Sequence, residues 1–175
     1  MRRILGSVAL AVLISGSPSA LARPGDEPAG GSSGCTIIGT NGNDVLRGTA
    51  GADVMCGRNG DDAMVGLGGD DRIIGGRGND RIDGGAGADE LSAGRGADLV
   101  AGGAGADHVE GGPNHDAIYG DGGSDIVQGG RGQDFCVNTH DGIGGNDVAN
   151  GGPGQDVFDV DQGDVVVNVE HAGGC

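Results

Sequence analysis

At 175 residues, with 43 glycines, three aromatic side chains (Tyr119, Phe135, Phe158), no tryptophan and no lysine, the chain has material for one domain at most and little bulk for an ordinary core. Its 26 acidic side chains against 10 basic ones leave a net charge of −16. That balance argues against nucleic acid or an anionic membrane as partner and in favour of divalent cations.

The first segment, residues 1–22, reads MRRILGSVALAVLISGSPSALA. Arg2 and Arg3 precede an apolar run from Ile4 to Ile14, and Ala20-Leu21-Ala22 supplies a small-x-small cleavage site. These are the features of a secretory signal peptide, too short and wrongly flanked for a membrane span, so a secreted, extracellular protein is expected. Its removal takes away two arginines and no acids, leaving 8 basic and 26 acidic side chains and a charge of −18. All four cysteines (Cys35, Cys56, Cys136, Cys175) lie beyond the cleavage site, and an even number in an exported chain points to disulfides. Residues 23–38 are expected to form a linker and amino-terminal cap; Arg23 to Gly34, RPGDEPAGGSSG, is a linker by composition.

From Gly39 the chain repeats every nine residues: GTNGNDVLR, GTAGADVMC, GRNGDDAMV, GLGGDDRII, GGRGNDRID, GGAGADELS, AGRGADLVA, GGAGADHVE, GGPNHDAIY, GDGGSDIVQ and GGRGQDFCV run without a gap to Val137. After Asn138-Thr139-His140-Asp141 the pattern resumes as GIGGNDVAN and GGPGQDVFD, so the repeat region spans 39–159 with an insertion at 138–141. Position six is aspartate in all thirteen copies and position four is glycine in twelve, with Asn114 the exception. Position eight holds Leu46, Met55, Met64, Ile73, Ile82, Leu91, Val100, Val109, Ile118, Val127, Cys136, Ala149 and Phe158, never a charge. Positions seven and nine mix charged and apolar residues, so position eight alone is expected to face a dry interior.

A three-residue strand at positions seven to nine accounts for this pattern, because only its middle side chain turns inward. Glycines at one, two and four then make the turn, where conformations closed to other residues are needed. Two nonapeptides, 18 residues, would close one coil. The expected fold is all-β, a parallel β-roll or β-helix solenoid with a sheet on each side and coils stacked about 4.8 Å apart.

The repeat resembles the RTX (hemolysin-type) nonapeptide, glycine-glycine-x-glycine-x-aspartate-x-apolar-x, a calcium-binding repeat of parallel β-helices. The resemblance implies that the first six residues of each copy hold calcium through backbone carbonyls and the aspartate, with each ion shared between turns one coil apart. Carried onto this chain, the ligands would be Asp44, Asp62, Asp80, Asp98, Asp116 and Asp134 along one edge, and Asp53, Asp71, Asp89, Asp107 and Asp125 along the other. Elementary electrostatics agrees: carboxylates about 5 Å apart repel by roughly 3 kcal/mol per pair at an effective dielectric near 20, so a row of them needs a cation. Oxygen-only ligands in a roomy turn favour calcium over magnesium. Aspartate and glycine are also good turn formers in their own right, which accounts for some of the aspartates but not for thirteen of thirteen.

Departures from the pattern mark weaker positions. Ala93 replaces a first glycine, Asp121 a second and Asn114 a third, although asparagine tolerates left-handed backbone. The insertion is expected to interrupt coil stacking, which makes Asp147 and Asp156 weaker candidate ligands. Residues 160–175 are expected to form a carboxy-terminal cap. Within it, Asp159, Asp161 and Glu170 fall at EF-hand positions one, three and twelve, but Gly163 and Asp164 are interchanged relative to that loop and VVVNVE reads as strand. For the cysteines, Cys56 and Cys136 lie more than four coils apart and cannot pair in a solenoid, because a disulfide needs Cα atoms within about 7 Å. Cys35–Cys56 and Cys136–Cys175 are the expected pairs, each pinning a cap, with Phe135 and Phe158 filling the second; free or intermolecular thiols are the alternative.

Catalysis finds no footing. Gly30-Gly31-Ser32-Ser33-Gly34 matches a nucleophile elbow but lies in the linker with no strand before it. A chain without lysine has no Walker-type phosphate loop. His108, His115, His140 and His171 lack zinc-ligand spacing. Relatives with such repeats often carry an enzyme domain ahead of them, whereas here about 16 residues separate the cleavage site from the first repeat, so the chain is not expected to be an enzyme. The expected function is calcium binding in a structural, adhesive or cell-surface role, with calcium ions and an extracellular polymer or cell surface as partners. A toxin- or enzyme-associated module whose activity comes from a partner chain is the alternative, opposed as a toxin by the lack of an apolar membrane-active segment. An ice-binding face is opposed by positions three and five, which hold no threonine and only scattered asparagine.

Overall fold

The structure, a computed structural model, describes residues 34–138, 147–160 and 164–167. Its strands fall alternately into two parallel sheets. One contains β1 (Ile37–Ile38), β3 (Val54–Asn59), β5 (Arg72–Arg77), β7 (Glu90–Arg95), β9 (His108–Pro113), β11 (Ile126–Arg131), β13 (Val148–Asn150) and β15 (Val165–Val167), in that order. The other contains β2 (Val45–Arg47), β4 (Ala63–Gly68), β6 (Arg81–Ala86), β8 (Leu99–Ala104), β10 (Ala117–Gly122), β12 (Phe135–Asn138) and β14 (Phe158–Asp159). Partners are offset by one coil of two nonapeptides: Arg72 pairs with Glu90 and Arg81 with Leu99. The solenoid and its register are those the nine-residue period predicts.

Position eight forms the apolar column between the sheets. Met55, Met64, Ile73, Ile82, Leu91, Val100, Val109, Ile118, Val127, Ala149 and Phe158 are buried there, with Leu46, Ile37, Val160 and Val166 packed against its ends. Phe158 therefore lies in the core near the carboxy-terminal end; the side chains of Phe135 and Cys136, and Cys175 altogether, lie outside the described residues. So does the second predicted disulfide, as do the signal segment and most of the linker. The first disulfide is present: Cys35 and Cys56 are joined, with Cα atoms 6.0 Å apart. Ile38 pairs with Cys56 across the first two coils, which brings Cys35 alongside.

Two expectations need correction. Interior strands are six residues long rather than three, running from position seven through position three of the following repeat. The cause is that irregular backbone stacks on identical backbone. Gly76 and Gly94, both at position two with φ of 119° and 106°, pair with each other in the ladder, so the sheet continues through a left-handed residue. The dry interior is also more than position eight. Inward-facing residues alternate along the strand, so position one is buried as well, with Ala93 fully enclosed, and the position-six aspartates are buried beside it.

The insertion does not break the stack. Ile126 pairs with Val148 and Val127 with Ala149 across a separation lengthened by four residues. The ladder tolerates this because hydrogen bonding depends on the local conformation of each strand and not on the length of chain between them. Beyond it, β15 pairs with β13, so the sheet extends into the segment read from sequence as a cap.

Candidate metal sites in the stacked turns

Each turn carries the chain from one sheet to the other and ends on the position-six aspartate, whose backbone is engaged in both directions. Asp62 O accepts from Arg81 N at 2.8 Å, and Asp62 N donates to Asp80 Oδ1 at 2.9 Å. The second contact recurs from coil to coil. Along one edge Asp44, Asp62, Asp80, Asp98 and Asp116 each donate N–H to the Oδ1 of the next aspartate, at 2.7–3.1 Å. Along the other, Asp53, Asp71, Asp89 and Asp107 do the same, at 2.8–2.9 Å. The ladder crosses the insertion, where Asp125 N reaches Asp147 Oδ1 at 2.7 Å and Asp134 N reaches Asp156 Oδ1 at 3.0 Å. Asp147 and Asp156 are thus fully buried members of the two rows, against the expectation that stacking fails there.

Oδ1 is accounted for; Oδ2 is not. In Asp62, Asp71, Asp80, Asp89, Asp98, Asp107, Asp116, Asp134 and Asp156 it is buried without a hydrogen-bond partner among the described residues. An orphaned buried oxygen of this kind carries a desolvation cost of about 1–3 kcal/mol, more when charged. Its surroundings are defined by the position-one glycine. A methyl group placed on Gly102 would lie 2.7 Å from Asp107 Oδ2 and 2.7 Å from Gly120 O of the next coil. On Gly111 it would lie 2.7 Å from Asp116 Oδ2 and 2.7 Å from Gly129 O. One carboxylate oxygen and one carbonyl oxygen from the adjacent coil therefore converge beside each such glycine, oxygens of the kind that hold calcium at about 2.3–2.6 Å. Among the described residues no three His, Cys, Asp or Glu side chains gather in one place. The converging donors are hard oxygens, carboxylate and carbonyl, the set that suits calcium.

Burial dominates the acidity of these groups. It pushes Asp62, Asp80, Asp107 and Asp134 up to about 6 and Asp116 up to about 7, opposed by the backbone N–H on Oδ1 and reinforced by neighbouring aspartates, Asp98 and Asp134 in the case of Asp116. Asp71, Asp89 and Asp98 move the same way for the same first cause. A buried carboxylate with one oxygen unsatisfied takes up a proton more readily than a solvated one when no cation is beside it.

Asp44 and Asp53 differ. They are only half-buried, and their Oδ2 atoms accept two hydrogen bonds each. Thr40 N donates to Asp44 Oδ2 at 2.6 Å and Thr40 Oγ1 at 2.9 Å; Thr49 N and Oγ1 contact Asp53 Oδ2 at 2.6 and 2.9 Å.

Two features escape a nine-residue reading. Asp164 takes the place of a position-six aspartate under the last strand, its Oδ1 accepting from Asp147 N at 3.4 Å. The spacing is 17 residues, one short of a coil, so a fixed window misses it, though Gly163-Asp164-Val165-Val166-Val167 carries the right residue types. The other is a second ladder at position five, running in the opposite sense: Asn43 Oδ1 accepts from Asp61 N, Asp61 Oδ1 from Asn79 N, and Asn79 Oδ1 from Ala97 N, at 2.8–2.9 Å. His108 and His115 are exposed and contact Gln128 and the Gln133 backbone, as surface histidines do. Asp159 sits in strand β14 and not at the head of a loop; Asp161 and Glu170 lie outside the described residues, as do His140, His171 and the linker serines.

A period of 18 residues, two parallel sheets and oxygen-lined turns stacked on both edges define a β-roll of the metal-binding type. The RTX calcium-binding nonapeptide repeat family matches the chain in four copies, over residues 36–64, 65–100, 101–136 and 141–167. These matches cover well over half of the sequence, and the chain belongs to that family. Its repeats are calcium-binding structural modules. No curated protein matches the chain. No helix among the described residues is long and apolar enough to cross a membrane.

Proposed function

We propose that this is a secreted calcium-binding β-roll whose ions sit between successive coils, and that it serves as a structural or adhesive element at a cell surface or in an extracellular polymer, without catalytic activity of its own. The observation that carries the reading is the buried Oδ2 facing a carbonyl oxygen of the next coil, at Gly102 and Gly111 and their equivalents. Asp62, Asp71, Asp80, Asp89, Asp107, Asp116 and Asp134 are the proposed carboxylate ligands that share this geometry; Asp98, beside Ala93 in place of glycine, and Asp125, Asp147 and Asp156 occupy the same register. A bound cation would neutralise the rows and join adjacent coils. The protein's part is to align Oδ1 through the N–H ladder, so that Oδ2 is aimed at the shared position, and to exclude side chains from it by glycine.

The signal-like first 22 residues support secretion. A surface partner is supported by the stacking of Arg77 on Arg95, both exposed at position three, with Arg131 farther along the same edge. Such a row in an otherwise acidic chain suits an acidic polymer. Retention of the calcium-loaded protein on an acidic polysaccharide matrix, weakened by salt and lost in R77A/R95A, is expected; equal retention of that variant would count against this partner class.

Calcium titration of the chain lacking residues 1–22, followed by circular dichroism, tests the calcium reading. The metal-free form is expected to be largely disordered at neutral pH, because −18 of charge and one apolar side chain per nine residues do not sustain the fold. β structure should appear cooperatively with calcium. A full β signal in excess chelator at neutral pH would contradict the reading.

A further inference from the structure

Of the position-six aspartates, Asp44 and Asp53 stand at the first turn of each edge, and the residue at position two of their repeats is threonine. In the later repeats whose position two is described, that residue is left-handed, glycine in most and Arg58, Leu67 or Asp121 otherwise, and the carboxylate Oδ2 has no donor in the cases named above. Thr40 and Thr49 are absent from that left-handed set. Their N–H and hydroxyl groups instead turn onto Oδ2, two donors per oxygen, and an oxygen with two donors has no lone pair left for an ion. The carbonyl that would complete the site is still present: a methyl on Gly39 would lie 2.6 Å from Gly57 O and 2.8 Å from Asp44 Oδ2. A cation there would meet the positive ends of an N–H and an O–H. The same segment is tied covalently by Cys35–Cys56, and Thr36 is bonded three times to Val54 of the next coil: its N and Oγ1 donate to Val54 O at 2.7 and 3.1 Å, and Val54 N donates to Thr36 Oγ1 at 3.2 Å.

We infer that the first coil is closed by threonine donors in place of calcium, so that residues 36–65 form a metal-independent seed on which the calcium-dependent coils stack. The seed's own turns need no ion because Oδ2 of Asp44 and of Asp53 already accepts two hydrogen bonds; Asp62, whose Oδ2 has no such donors, belongs to the first calcium-dependent turn, stacked on the template edges of β3 and β4. This rests on the reading of the later turns as calcium sites.

The test is hydrogen–deuterium exchange with peptide resolution on the oxidised chain, in excess chelator and in calcium, with calcium stoichiometry measured by equilibrium dialysis. In chelator, amides within 36–65 should exchange at least about tenfold more slowly than those within 72–134; calcium should then protect both. T40G/T49G, which restores glycine at position two, should lose the protection in chelator, regain it in calcium, and bind one further ion for each site opened. Uniform exchange across 36–134 of the unsubstituted chain in chelator would overturn the seed whatever the variant does. So would an unchanged ion count in a T40G/T49G protein that folds with calcium. Protection of 36–65 with no calcium taken up anywhere would leave the seed standing and remove the calcium reading of the later turns, so the two fail separately.

Discussion

At the scale of the residue, the position-six aspartate has two oxygens with different tasks, and one substitution separates them. Asp116→Asn keeps an acceptor for the Asp98 N–H while removing the charge from a fully buried group that lies between Asp98 and Asp134. Without calcium at neutral pH this should stabilise the protein by about 1 kcal/mol, because an unsatisfied buried charge is lost. With calcium it should destabilise by about 1–3 kcal/mol, because a ligand is lost. Thermal melts with and without calcium check the opposed signs; destabilisation in both conditions would make Asp116 a purely structural hydrogen-bonding residue. The aspartates were legible because a residue type that never varies at one position in thirteen copies stands out against any turn former. Thr40 and Thr49 did not stand out in the sequence, where the departures that drew the eye were Ala93, Asn114 and Asp121. That the threonines donate to the carboxylate four residues on depends on a φ choice at position two, which residue identity alone leaves open.

Among strands and turns, the apolar column and the carboxylate rows respond to different variables. Ile82 is fully enclosed in the column, so Ile82→Ala should cost about 2–5 kcal/mol in the calcium-loaded protein, measured by denaturant unfolding. Leu46, partly buried at the open end, should cost distinctly less when cut to alanine. The rows respond to pH. Their folded-state acidities are raised, to about 6 for Asp62, Asp80, Asp107 and Asp134 and about 7 for Asp116. A group so raised favours the fold fully below its unfolded value near 4 and loses that contribution as pH climbs through 6 to 7. The metal-free protein should therefore gain β structure on acidification from pH 8 to pH 5, while the calcium concentration needed for folding rises as protons compete for Oδ2. A calcium midpoint independent of pH over that range would separate the carboxylates from the folding transition. Strand position followed from the inward-facing eighth residue, but strand length did not. Glycine pairs at positions one and two read as turn, and only stacking on an identical neighbour makes them ladder, as at Gly76 and Gly94.

For the whole molecule, the period determined the architecture and interruptions turned out to matter less than their lengths suggest. Four inserted residues leave Asp125 bonded to Asp147, and a coil one residue short still sets Asp164 beneath Val165. A one-dimensional stack tolerates this because each coil answers only to its neighbours. For the same reason the ends carry special devices. Removing the amino-terminal staple by C35S/C56S should lower stability by about 2–4 kcal/mol, through the larger freedom of the unfolded chain; equal stability of the two proteins would make the disulfide dispensable. The pairing of Cys136 with Cys175 remains an expectation for non-reducing peptide mapping. Cations in the shared positions between coils would hold the whole stack together. An anomalous difference map from calcium-grown crystals tests for them most directly. Peaks are expected between Asp107 Oδ2 and Gly120 O, and between Asp116 Oδ2 and Gly129 O, at about 2.3–2.6 Å from each oxygen, and none at Asp44 or Asp53. A folded β-roll whose position-six carboxylates bear no such peaks would contradict that placement of the ions.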